Sequence, residues 1–115
     1  MTRQQFESFE SKLKEAGYKR YQGPITNNDF YFAKGFAYYY DEDGDRYPSY
    51  QIIYSVWDYT NYPIVPDNDK FGIEPRIMLH VSDQRTDLIF VREDCEIEEI
   101  ESKAEKFFAF AQVYL

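Results

Sequence analysis

The sequence predicts an α+β fold: an antiparallel four- to five-stranded sheet in α-β-β-β-β-α order, with N- and C-terminal helices packed on one face. Three observations predict it. The chain opens on a capped amphipathic segment, continues through two pairs of aromatic and β-branched runs joined by turn residues, and closes on an apolar stripe at spacings of three and four. Its 115 residues, 43% of them apolar, are enough to build one core over 1–115 without disulfide staples.

Thr2 followed by Gln5 has capping-box spacing, and Phe6, Phe9, Leu13 and Ala16 recur at helical intervals up to Gly17. Gly17 can take the left-handed stop conformation, with Tyr18 folding back on the last turn. A brief strand is expected over 18–22, and Gly23-Pro24 and Asn27-Asn28-Asp29 read as turns.

The runs Phe30 to Tyr40 and Tyr47 to Tyr59, separated by Asp41-Glu42-Asp43-Gly44-Asp45, form a hairpin. A loop of Glu42-Asp43-Gly44 with a left-handed Gly44 pairs Tyr39 with Tyr47 and Tyr40 with Arg46. Even positions then share one face, Phe30, Phe32, Phe36, Tyr38, Tyr40, Tyr50, Ile52, Tyr54 and Val56, which is the expected core. The other face carries Tyr31, Ala33, Gly35, Ala37, Tyr39, Ser49, Gln51, Ile53, Ser55 and Trp57.

From Tyr59 to Arg76 the prolines Pro63, Pro66 and Pro75 predict a long irregular connection, of the kind that often carries function. A second hairpin is expected over Arg76 to Val81 and Asp87 to Val91, turning through 82–86. Its strands are apolar on both faces, so its part of the sheet should be covered on both sides. Asp94 is placed to cap a last helix whose first turns hold Glu96, Glu98, Glu99 and Glu101. Ile97, Ile100, Ala104, Phe107, Phe108, Ala111 and Leu115 trace its docking stripe.

Charge and composition exclude several function classes. Thirteen Lys and Arg against twenty-one Asp and Glu give a net charge of -8, which disfavours duplex nucleic acid and anionic membranes as partners. The opening Met1-Thr2-Arg3 leads into no apolar secretory segment, no run is long enough to span a bilayer, and Cys95 is the sole cysteine. These features predict a cytoplasmic protein.

Candidate chemistry is sparse. With one histidine, His80, no zinc site of two or three imidazoles can form. A Cys95–His80 nucleophile pair would require hydrogen-bond reach between them. A tighter turn on Asp83-Gln84 would instead set His80 opposite Asp87, with no Ser or Cys placed to complete a triad. The acidic run Asp41 to Asp45 lacks calcium-loop spacing, because glycine stands fourth and Ile52 occupies the twelfth position, so it reads as a solvated tip. The isolated glycines give no phosphate-cradling loop. No cofactor, no metal and no enzymatic activity are therefore expected.

The aromatic face is more informative. Tyr31, Tyr39 and Trp57 stand among small residues on the non-core face, and Tyr59 and Tyr62 lead into the proline loop. Tyr and Trp make efficient interface anchors because they bury large area at small rotamer cost. These five are the expected contact residues for a protein partner or a second copy of the chain, as in a small accessory, inhibitor or immunity-type protein. The competing reading places the same residues under the 59–76 loop. A small-molecule or single-strand nucleic-acid binder could use the face as well, although Lys34 and Arg46 are outnumbered there by acids. The acidic last helix suggests a further role, imitation of a phosphate backbone through Glu98, Glu99 and Glu101.

Overall fold

Thr2 and Gln5 do cap the first helix. The computed structural model describes residues 1–81, 84–90 and 96–114. In it, Gln5 N donates to Thr2 Oγ1 at 3.1 Å and Thr2 N donates to Gln5 Oε1 at 2.9 Å, opening helix α1 (Arg3–Glu15). Gly17, at φ 95, closes it. Tyr18 N donates to Leu13 O at 3.0 Å and Gly17 N to Lys14 O at 3.1 Å, the paired bonds of a Schellman stop.

Among the described residues seven strands follow: β1 (Lys19–Gln22), β2 (Phe30–Phe36), β3 (Tyr39–Tyr40), β4 (Arg46–Tyr47), β5 (Tyr50–Asp58), β6 (Phe71–Val81) and β7 (Gln84–Phe90). A 3-10 turn spans Asp67–Asp69, and helix α2 (Ile97–Tyr114) ends the described chain. Strands β1-β2-β5-β6-β7 form a sheet in that order, with β1–β2 and β6–β7 antiparallel, and β3 pairs β4 in a separate two-stranded sheet. The protein is an α+β fold in the expected order, with the brief strand after α1 also present. Asp94 and Cys95, expected at the start of the last helix, lie outside the described residues, as do Ser82, Asp83 and Leu115.

The strands run through two compact units, Met1–Ala33 with Tyr54–Glu74, and Lys34–Ile53 with Pro75–Leu115. The first is held by aromatic packing on α1. Phe6 stacks on Phe71 at 4.3 Å and meets Phe30 edge-on at 6.0 Å, while Phe9 and Tyr18 each meet Tyr54 at 5.5 Å. Phe6, Leu13, Tyr18, Phe30, Phe32, Tyr54, Val56 and Phe71 are all buried. The turn before β2 is satisfied from inside. Buried Asn28 accepts from Ile25 N and Thr26 N through Oδ1 and donates from Nδ2 to Phe30 O, replacing ladder bonds that the turn cannot make.

In the second unit α2 docks through Phe108, whose ring lies 4.9 Å from Tyr50, and Tyr50 in turn stacks on Phe36 at 5.1 Å. Ile52, Ile53, Ile77, Met78, Leu79, Ile97, Ile100, Ala104 and Ala111 complete this core. As expected, the residues of the first hairpin whose rings meet the helices are even-numbered: Phe30 and Tyr54 for α1, Tyr50 for α2. Residues Pro75 to Leu79 are buried in succession, matching the strand covered on both faces that the apolar run predicts.

The first hairpin keeps its expected register but not its continuity. Tyr39 faces Tyr47, Tyr40 faces Arg46, and Gly44 is left-handed at φ 85. Ala37, however, sits at φ 52, in a region that an L-residue enters at some cost, and β2 ends at Phe36. Tyr38 then turns back onto Gly35, whose Cβ position the Tyr38 hydroxyl and the Pro48 ring would crowd. Tyr38 and Tyr40, expected in the core, are therefore exposed, at 45% and 70%.

The second hairpin is also longer than its sequence suggested. Strand β6 begins at Phe71 rather than Arg76, and β7 begins at Gln84 rather than Asp87, with Val81 paired to Gln84. An edge strand needs only backbone pairing, so the polar run Gln84-Arg85-Thr86 can belong to β7 despite its poor alternation. A bulge separates Ile77, opposite Ile89, from Met78, opposite Asp87. His80 consequently faces Arg85 and not Asp87.

Candidate functional site

The most prominent surface grows from the interrupted hairpin. Beyond Ala37 the chain forms a two-stranded arm, β3–β4, hinged where Ser49 N donates to Phe36 O at 3.0 Å and to Ala37 O at 3.3 Å. At the tip, Asp41 Oδ1 accepts from Asp43 N at 2.9 Å and Asp45 N at 2.8 Å, and Gly44 N donates to Asp41 O at 3.1 Å. Carboxylate oxygens of Asp41, Asp43 and Asp45 can lie within 4.8 Å of one another, on a tip that is largely in solvent as its composition predicts.

Tyrosines clothe this arm. Tyr38, Tyr39, Tyr40 and Tyr47 are 45%, 42%, 70% and 43% exposed. Tyr39 and Tyr47 lie 6.0 Å apart, and the Arg46 guanidinium sits 3.8 Å from the Tyr38 ring centre. The negative field of Asp41, then of Asp45, holds the Tyr47 hydroxyl above the usual tyrosine pKa. At the base of the arm, burial first and then Glu105 and Glu101 raise that of Tyr50.

The five expected contact residues divide between the two units. Tyr31, Trp57, Tyr59 and Tyr62 belong to the first unit and Tyr39 to the second. Tyr31 and Trp57 are half-buried, Tyr31 stacking on Tyr21 at 5.3 Å and Trp57 lying over Gly72. Tyr59 and Tyr62 meet edge-on at 5.9 Å in a loop fastened to itself, where Tyr59 N donates to Lys70 O and Lys70 Nζ to Tyr62 O, both at 2.8 Å. Ile64, within the same loop, is 92% exposed.

Sequence reasoning missed Tyr38, Tyr40, Tyr47 and Ile64. One signal was present for the arm: the register that pairs Tyr39 with Tyr47 sets Pro48 opposite Tyr38, and proline has no N–H for the ladder. The chemical candidates fare less well. His80 is half-buried and its backbone N donates to Ser49 O at 2.8 Å; its suggested partner Cys95 lies outside the described residues. On α2, Glu98 and Glu99 are exposed, but Glu101 pairs with Lys34 at 3.5 Å.

Two surface hollows of about 380 and 400 Å³ flank α1, the second lined by Thr2, Arg3, Gln4, Thr60, Asp67 and Lys70. Asp67 places a carboxylate among its cations. Among the described residues no helix is long and apolar enough to cross a membrane. The chain matches no family model, no curated protein and no solved structure.

Proposed function

We propose that this chain is a cytoplasmic protein–protein interaction module that works by contact rather than by chemistry, and that its principal contact surface is the β3–β4 arm. The observation that carries this reading is the grouping of Tyr38, Tyr39, Tyr40 and Tyr47, all exposed, on a strand pair outside the five-stranded sheet. Tyrosines placed this way add little to a core, whereas they supply amphipathic area with few rotors to fix on binding. Neighbouring exposed apolar surface on a small soluble fold commonly marks an interaction site. In this proposal Tyr39 acts as a contact residue, and the exposed Tyr59, Tyr62 and Ile64 of the first unit are a further candidate patch.

Capture of partners from the native cytoplasm with tagged protein, with and without nuclease, tests the proposal. A stoichiometric, nuclease-resistant protein should be recovered by the wild type and lost by Tyr39→Ala/Tyr40→Ala, while the circular dichroism of that variant stays unchanged. Recovery undiminished by the substitution, or release by nuclease, contradicts it.

A further inference from the structure

We infer that the occupant of the arm is an arginine-bearing segment of a protein partner. The inference rests on the contact reading above and adds the chemistry of what is contacted. The arm already seats one guanidinium, because that of Arg46 lies over the Tyr38 ring, 3.8 Å from its centre. Tyr39, Tyr40 and Tyr47 leave ring surface in solvent on the same strand pair.

Charge selects among occupants. Between Tyr40 and Tyr47 the chain carries Asp41, Glu42, Asp43 and Asp45 against Arg46 alone. A phosphate or carboxylate partner would meet like charge. A purely apolar one would strip water from carboxylates without replacing it, which is costly. A cation satisfies both features, sitting over a ring and facing a carboxylate. Arginine does so better than lysine, since its planar guanidinium stacks on aromatic faces and bonds a carboxylate through two N–H groups. Opposite charge also speeds encounter, and salt weakens it.

A fluorescein-labelled nona-arginine peptide followed by anisotropy, beside nona-lysine, tests this. Wild type should bind nona-arginine about tenfold more tightly than nona-lysine. Tyr40→Ala, and separately Asp43→Asn/Asp45→Asn, should each weaken nona-arginine binding about fivefold. Glu98→Gln/Glu99→Gln on α2 should change it by less than about twofold, although it removes as much charge. The inference is overturned if arm variants bind like wild type, if the helix variant loses as much as they do, or if nona-lysine binds equally well. An overturned result while Tyr39→Ala/Tyr40→Ala still loses its captured partner assigns the arm a different occupant. Retention of that partner removes the contact reading itself.

Discussion

Tyr50 shows how one side chain can report on the second unit. Its ring is stacked on Phe36 and touches Phe108, and burial together with Glu105 and Glu101 raises its hydroxyl above the ordinary value of 10.0. Below pH 10 both folded and unfolded chains hold the neutral phenol, so this group leaves stability unchanged there. Above it the unfolded chain releases the proton first, the native state holds more protons, and stability falls as pH rises. Urea midpoints measured from pH 9 upward should therefore decline more steeply for wild type than for Tyr50→Phe beyond about pH 10. Equal slopes would show that this hydroxyl is solvated. Tyr50's place on the buried face was readable from its even position. Its carboxylate neighbours were not, because they depend on where α2 docks.

At the scale of elements, local chemistry was readable wherever a residue's own conformational needs decide the outcome. Thr2 with Gln5, Gly17 with Tyr18, and Gly44 each behave as their side chains, or lack of one, require. The break at Ala37 was not readable, since an alternating pattern through Tyr38 and Tyr40 fits a straight strand equally well. What holds the arm back is the contact of Tyr38 with Gly35, where any Cβ would meet the Tyr38 hydroxyl and lie 2.9 Å from the Pro48 ring. Gly35→Ala should destabilise the fold by about 1–3 kcal/mol. Part of that loss should vanish in a Tyr38→Ala background, the Pro48 contact remaining, and a double-mutant cycle of urea unfolding would measure the coupling. Strict additivity would mean that Tyr38 does not rest on Gly35. The start of strand β7 at Gln84, three residues before the expected Asp87, was not readable for a different reason: polar residues suit an edge, and alternation is then a poor guide.

For the whole molecule, fold class and element order follow from periodicity, turns and caps, whereas the contact surface does not. The sequence singled out Tyr31, Tyr39, Trp57, Tyr59 and Tyr62 by assigning strand faces. The structure half-buries Tyr31 and Trp57, exposes the other three, and also exposes Tyr38, Tyr40 and Tyr47, because β2 ends at Phe36 and the β3–β4 pair lies outside the five-stranded sheet. The break at Ala37 thus takes Tyr38 and Tyr40, expected in the core, out into solvent. Net charge, by contrast, reads directly as a statement about partners: an acidic chain with an acidic arm suits a cationic surface. The most direct test of the account is amide hydrogen exchange of the protein alone and bound to the partner recovered by capture. Slowing should be concentrated in residues 38–47. An unchanged arm, with slowing confined to the 59–66 loop or to α2, would contradict the central claim.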